Sequence, residues 1–351
     1  MNDARAEQPL GLPWTVRLFE SAPVAPIWIG ILVAFSWLAV YVAYAYQVEW
    51  IDAPGQPSWN NLELAVLFAA MFGYISTATA YGFRGAARDL HALRPALDCS
   101  DSEFRELLHR LTRFDGRRLL IVSTAAVVVG LLTPLSPFMW STGRTPEFGD
   151  AELTWNMLQI MILYWLGARD LYMGSILDRR ISNIGASCRV ELLDTRPLAP
   201  LGRAGLRGAR VTIGFAALLS LMLLLPLIGY YLPPVFIIAF LIASLGLAVR
   251  RLLAPMMGVR RRIREAKLTE LERVREVIRA ESRSRPEQED HWQSIDGHLS
   301  DLIIYETRIE AVSTWPVDSS GVLRFGLYVF GGLGAWVGAG LMERLLSAAL
   351  G

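Results

Sequence analysis

The longest apolar run of the chain, residues 211–249, reads VTIGFAALLSLMLLLPLIGYYLPPVFIIAFLIASLGLAV and contains no charged residue. A helix needs about 20 apolar residues to cross the hydrocarbon core of a bilayer, so this run is too long for one crossing. Its centre, from Tyr230 to Pro234, combines two interfacial tyrosines with two prolines that break a helix. The run therefore predicts two transmembrane helices joined by a short turn.

Five further apolar stretches are long enough to span a bilayer, and 53% of all residues are hydrophobic while 19% are charged. The first stretch exceeds the apolar region of a signal peptide, so we interpret it as an uncleaved span. The fold class is thus an all-α polytopic membrane bundle of about seven transmembrane helices. The predicted spans are 25–46, 62–83, 118–139, 153–173, 211–231, 233–254 and 323–346.

Arginine placement orients this bundle, because short cytoplasmic loops retain positive charge during insertion. The segments 84–117 and 174–210 are rich in arginine, whereas 47–61 has no basic residue and 140–152 has only Arg144. The N-terminus is therefore predicted inside and the C-terminus outside. Lys267 is the only lysine, a bias typical of a GC-rich bacterial genome. We expect a multi-pass protein of the bacterial inner (plasma) membrane.

This topology divides the chain into four parts. They are a cytoplasmic N-terminal segment (1–24), a bundle of six helices (25–254) with arginine-rich cytoplasmic loops at 84–117 and 174–210, a cytoplasmic helical hairpin (255–322) and the seventh span (323–351). In the first loop, Ser100 and Glu103 form a capping-box pattern that predicts a short amphipathic helix.

The cytoplasmic hairpin is predicted from apolar residues that recur at helical spacing on both sides of a break around Pro286. The sixth span is expected to run on through Pro255 into the first helix, and the second helix carries an a/d pattern. Such a pattern predicts an antiparallel pair that projects into the cytoplasm. Its seam residues are Leu271, Val274, Ile278, Trp292, Ile295, Leu299, Leu302 and Ile309.

Charged residues within a span are functional candidates because they are unfavourable in the bilayer. Arg169 and Asp170 are the pair that we place within an apolar run, late in the fourth span. Two interpretations remain open: a structural role at the cytoplasmic interface, or a place in a conduction or ligand path. The scarcity of charge in the spans argues against a proton-coupled carrier.

The seventh span carries a stripe of small residues, Gly331, Gly334, Ala335 and Gly338, at helical spacing. Small residues let another helix approach closely. The stripe is predicted either to pack within the bundle or to face a symmetry mate or pore axis. The second interpretation implies a homo-oligomer.

Catalytic and cofactor signatures are missing from the sequence. We find no Gly-rich phosphate loop, no G-x-S-x-G and no H-E-x-x-H motif, and the histidines have no third metal ligand at fixed spacing. Cys99 and Cys188 are predicted in cytoplasmic segments, where thiols stay reduced. We therefore expect no cofactor, no metal and no enzymatic activity.

The predicted function is an oligomeric channel or channel-like receptor that conducts ions or small solutes. The arrangement of spans, with an extended sixth helix and a broken last one, resembles that of the insect odorant and gustatory receptor channels. This resemblance is one of topology and assigns no residue roles. The alternative is a membrane-anchored scaffold or sensor that binds a cytoplasmic protein partner at its hairpin. The lipid bilayer is the expected environment, and a net charge of +1 gives no reason to expect nucleic acid.

Overall fold

A computed structural model describes residues 24–48, 59–132, 151–221, 234–283, 297–315 and 319–331. Within these ranges the regular structure is helical and contains no strand, which confirms the all-α class. In chain order the helices are α1 (Pro26–Gln47), α2 (Trp59–Leu93), α3 (Asp101–Thr112), α4 (Gly116–Leu132), α5 (Ala151–Ala186), α6 (Ala199–Ser220), α7 (Pro234–Arg283), α8 (Gly297–Ala311) and α9 (Ser319–Val329).

Three helical segments in the described part of the chain are long and apolar enough to cross a membrane: Pro26–Gln47, Leu62–Ala96 and Ala239–Arg283. The predicted spans 118–139, 211–231 and 323–346 extend outside the described residues. The predicted span 153–173 lies within α5, which is not one of the three segments. The described residues are thus those of a helical protein with three apolar helices of membrane-spanning length.

The helices α2, α5 and α7 are longer than a bilayer requires. They contain 35, 36 and 50 residues, and at about 1.5 Å per residue each exceeds the ~30 Å hydrocarbon core by 20 Å or more. Each continues past the predicted end of its span, at residues 83, 173 and 254 respectively. The predicted loops 84–117 and 174–210 therefore begin as helix, because their first turns still present an apolar face.

These helical extensions share a hydrophobic core with α3 and the start of α6. Ser100 caps α3 with the predicted capping box, in which the Ser100 amide donates to the Glu103 carboxylate.

The core also contains a cysteine. Burial raises the pKa of the Cys188 thiol to about 12, and both Cys99 and Cys188 are free. Buried members of this core include Leu90, Leu93, Phe104, Leu111, Ile181, Ile184, Cys188, Leu198, Leu201, Met256, Val259 and Ile263.

Neighbouring helices approach closely where a glycine faces the backbone of the next helix. A Cβ atom at Gly30 of α1 would lie 2.5 Å from the carbonyl oxygen of Gly73 in α2. A Cβ atom at Gly130 of α4 would lie 2.9 Å from Met161 Cα in α5. Only glycine permits such contacts between backbones. These two crossings hold α1 against α2 and α4 against α5.

The hairpin of α7 and α8 is held by one buried apolar contact region and by charged side chains. Leu271, Val274 and Ile309 are buried, while Ile278, Leu299 and Leu302 are half-buried. Arg275 Nε and Nη2 donate to Glu306 and Glu310, each at 2.6 Å. Lys267 Nζ donates to the carbonyl oxygens of Glu310 and Val312 at 2.6 and 3.0 Å. The predicted seam residues Trp292 and Ile295 lie outside the described residues.

The last described helix, α9, packs against α6. The Arg210 guanidinium donates to the Tyr328 hydroxyl and lies 4.4 Å from the centroid of its ring. Gly331 is exposed, and a Cβ atom there would meet no atom of the described residues within 4 Å. The other stripe residues, Gly334, Ala335 and Gly338, lie outside the described residues.

Candidate functional site

Arg251 of α7 is the centre of a buried charged cluster. Its side chain is 8% exposed and lies between two carboxylates of α5: Nη1 is 3.8 Å from Asp170 Oδ2, and Nε is 3.8 Å from Asp178 Oδ2. Nη1 also donates to the Thr212 hydroxyl of α6 at 3.5 Å. Both carboxylate contacts are longer than a charge-assisted hydrogen bond of about 2.7–2.9 Å. Arg251 therefore balances two negative charges without a tight bond to either.

Gly174 makes room for this guanidinium. It lies midway between Asp170 and Asp178, one helical turn from each, and a Cβ atom there would lie 1.7 Å from Arg251 Nη2. Nη2 donates to the Asp170 carbonyl oxygen at 3.4 Å. The spacing Asp-x-x-x-Gly-x-x-x-Asp thus creates a bare backbone patch flanked by two acids, which fits a planar guanidinium.

A second arginine packs against a glycine beside an aspartate, between α2 and α6. Arg207 Nη1 lies 2.7 Å from Asp89 Oδ2, and a Cβ atom at Gly85, one turn before Asp89, would lie 2.3 Å from that same nitrogen. Arg203 adds a longer contact of 3.6 Å to Asp89 Oδ1. The side chains of Arg207 and Asp89 are 11% and 15% exposed. This second pair is tight and closes one end of the cluster.

The environments of the two α5 carboxylates differ. Asp170 accepts a hydrogen bond from the Thr79 hydroxyl of α2 at 2.9 Å. Asp178 lies beyond the predicted end of the fourth span, and burial raises its pKa to about 6, although Arg251 and Arg250 lower it. The charge of Asp178 therefore depends on pH around 6.

The charged cluster lines a small cleft between α2, α5, α6 and α7, with about 50 Å³ of space open to water-sized molecules. Its apolar walls include Phe83, Met173 and Leu177, and its polar groups are Thr79, Asp170, Asp178, Arg207 and Arg251. A space of this size holds a few water molecules or a small ion. No group of three or more potential metal-ligating residues occurs among the described residues.

The backbone beside Arg251 is interrupted by Pro255, which has no amide hydrogen for the Arg251 carbonyl. Nearby, a Cβ atom at Gly205 would lie 2.2 Å from the Leu252 carbonyl oxygen, and one at Gly258 would lie 1.9 Å from the Ser182 carbonyl oxygen. The Gly258 amide donates to the Ser182 hydroxyl at 3.1 Å. Close backbone approaches therefore surround the proline on two sides of α7.

The structure places the two predicted intramembrane residues in different environments. Asp170 belongs to the cluster, whereas Arg169 is 6% exposed and stacks over Trp165 at 5.0 Å. Sequence reasoning missed Arg251, at the charged end of the predicted sixth span, and Asp178, counted within a loop. The available signal was the placement of Gly174 between two aspartates at helical spacing. Among the described residues, neither the members of the predicted hairpin seam nor Gly331 of the glycine stripe line this cleft.

Comparison of the chain with models of known families, with curated proteins and with solved structures finds no match.

Proposed function

We propose that this protein is a membrane channel or channel-like receptor for ions or small solutes whose path passes the Arg251 cleft. The observation that carries the proposal is the buried cluster of Arg251, Asp170 and Asp178 at an open cleft. Charged residues in membrane helices usually face the interior of the bundle rather than the lipid, and they often mark ion or substrate pathways.

The ion pairs of Arg251 with Asp170 and Asp178 are long, as expected for side chains that also contact a permeating ion or solute. The 3.8 Å separations leave both carboxylates able to accept a hydrogen bond from a passing solute or hydrated cation. A closed structural pair would instead resemble Arg207 and Asp89, whose atoms lie 2.7 Å apart. We propose that the Arg207 pair holds the helices, while the Arg251 cluster contacts the permeating species.

The proposed topology has seven spans, a cytoplasmic N-terminus and an external C-terminus in a bacterial plasma membrane. In it, the cleft opens toward the cytoplasm, on the side where the arginine-rich segments lie. A homo-oligomer, in which the glycine stripe of the seventh span faces a symmetry mate, is part of this proposal. The path proposed here lies within one subunit, so it does not require the stripe to line a pore.

Flux through purified protein in liposomes tests the proposed function. We expect the wild type to accelerate equilibration of K⁺, Na⁺, Cl⁻ or a small neutral solute such as glycerol. For an ion path, Asp178→Asn is expected to lower the cation-to-anion flux ratio several-fold, because it removes a negative charge from the cleft.

The control for this assay is Glu265→Gln on α7. This change also removes one carboxylate, but Glu265 belongs to a solvent-exposed ion pair with Arg261. It is expected to leave the flux ratio unchanged. The channel proposal would be contradicted if liposomes that contain the wild-type protein are not more permeable to any of these probes than protein-free liposomes.

A second candidate function, the membrane-anchored scaffold, is favoured by the outer face of the hairpin. Ile303 and Ile304 of α8 are 50% and 51% exposed, although the opposite face of the same helix buries Ile309 completely. Adjacent exposed isoleucines on a helix that is already packed are available to a protein partner.

Proximity labelling in cells tests the scaffold. If the hairpin binds a partner, changing Ile303→Asp together with Ile304→Asp should remove specific labelled proteins, because two charges would enter an apolar contact. The control is Arg308→Gln on the same helix, which is exposed. Identical labelling for the wild type and the double variant would argue against a partner at this face.

A further inference from the structure

A second polar feature lies in an aromatic cluster between α1, α2 and α5, far along α5 from the charged cleft. The Nε1 atoms of Trp37 and Trp155 and the Oε1 atom of Gln159 are buried and have no hydrogen-bond partner in the described part of the chain. Gln159 is 0% exposed and Trp155 is 2% exposed. The Gln159 amide nitrogen donates one of its two protons to Asn156 Oδ1 at 3.4 Å.

The three residues that carry these atoms adjoin one another. Trp155 and Gln159 are one helical turn apart on α5 and so lie on the same face. The ring of Trp37 stacks on Trp155 with centroids 5.0 Å apart. Tyr44 stacks on the Trp155 ring at 5.1 Å, and Phe72 meets Trp37 edge-on at 5.1 Å.

This stacking determines where a bound molecule can lie. Ring centroids about 5 Å apart leave no space for an atom between the faces, so an occupant must lie at the ring edges, where the indole N–H groups are. Buried polar groups are nearly always hydrogen-bonded, and leaving three of them unbonded in one cluster is unfavourable.

The chemistry of the three atoms defines the occupant. Two indole N–H groups donate and one amide oxygen accepts, and a water molecule supplies the complementary two lone pairs and one O–H donor. An anion would be opposed by the amide oxygen and by the absence of a cation in the described cluster. A cation would be opposed by both indole donors.

We propose that Trp37, Trp155 and Gln159 form a binding site for an ordered water molecule inside the helical bundle. The site has three protein partners, which is the usual number for buried water. Gln159 also lies eleven residues before Asp170 on α5, and eleven residues at 100° each return to nearly the same face, about 16 Å away. The hydrated site therefore continues the polar interior beyond the cleft, and it does not depend on the proposed channel activity.

Hydroxyl-radical labelling by pulsed radiolysis of the purified protein in detergent micelles tests this proposal. Radicals generated from a bound water modify the adjacent side chain, even where bulk solvent has no access. After correction for the higher intrinsic reactivity of an indole than of a phenyl ring, we expect Trp155 to be modified several-fold faster than Phe72, which is 1% exposed and carries no polar side-chain atom. In Gln159→Leu, the rate at Trp155 should fall to that of Phe72, because the water loses its acceptor.

The outcomes separate a hydrated site from a dry one. Equal modification of Trp155 and Phe72 in the wild type would overturn the proposal, and so would an unchanged Trp155 rate in Gln159→Leu. If Gln159→Leu does not fold, Gln159→Met provides a second variant of similar length, and the wild-type comparison alone remains decisive. A protein without measurable flux that still shows rapid Trp155 modification would contradict the channel and support the water site.

Discussion

Arg251→Met is expected to destabilise the protein by about 3–5 kcal/mol at neutral pH, the usual cost of removing one partner of a buried ion pair. The variant leaves Asp170 and Asp178 facing each other across Gly174 with no positive charge between them. Thermal or denaturant unfolding in a mild detergent measures the loss. Arg261→Met is the control, because Arg261 has an 83% exposed side chain and its removal should change stability little.

The effect of Arg251→Met should also depend on pH. Burial raises the pKa of Asp178 to about 6, and Arg251 lowers it, so removal of Arg251 raises that pKa further. Between about pH 4 and the raised pKa, Asp178 is protonated in the folded variant but ionised in the unfolded chain. The free energy of unfolding of the variant therefore falls as the pH rises through this range. The loss is therefore larger at pH 8 than at pH 5.

A compensating variant completes this experiment. Combining Arg251→Met with Asp170→Asn and Asp178→Asn removes both uncompensated charges, so it should recover much of the lost stability. An Arg251→Met protein as stable as the wild type at pH 8 would show that the cluster is not a coupled ion network.

Gly258→Ala is expected to have the largest effect among the glycine substitutions at helix crossings. Its new Cβ atom would lie 1.9 Å from the Ser182 carbonyl oxygen, a backbone atom that cannot rotate away. The two helices α5 and α7 must therefore separate, and the hydrogen bond from the Gly258 amide to Ser182 is lost with them. Overpacking of this kind costs about 1–3 kcal/mol, and we expect a value at the upper end.

Gly246→Ala is the matched control because it lies on the same helix, α7. A Cβ atom at Gly246 would meet nothing within 4 Å in the described part of the chain, and alanine favours a helix over glycine by up to about 1 kcal/mol. The control should thus be neutral or slightly stabilising in the same unfolding assay. Equal melting of the two variants would show that α5 and α7 are further apart at this crossing than described.

Local sequence signals predicted much of the helical architecture. The capping box at Ser100 follows from hydrogen-bonding rules that act within four residues, and the structure has both of its bonds. The continuation of α7 through Pro255 follows from uninterrupted helix-forming residues on both sides. The start of α6 at Ala199, rather than at the predicted 211, is explained by Pro200, which is tolerated in the first turn.

The charged cleft could not be predicted in the same way, because its members come from four helices. Asp89, Asp170, Arg207 and Arg251 are each ordinary residues near the ends of predicted spans. Only the packing of α2, α5, α6 and α7 shows which acid meets which arginine. The repeated spacing of a glycine one turn before Asp89 and before Asp178 was visible in the sequence, but its meaning depends on an arginine from another helix.

Pro255 is a point at which the long helix α7 can bend. From this proline to Arg283 the helix runs for about 40 Å, so a 10° bend at Pro255 would displace its far end by about 7 Å. Lys267 and Arg275 tie α8 to this arm, and α8 would move with it. A bend of α7 at Pro255 would therefore produce its largest displacement at the hairpin, far from the cleft.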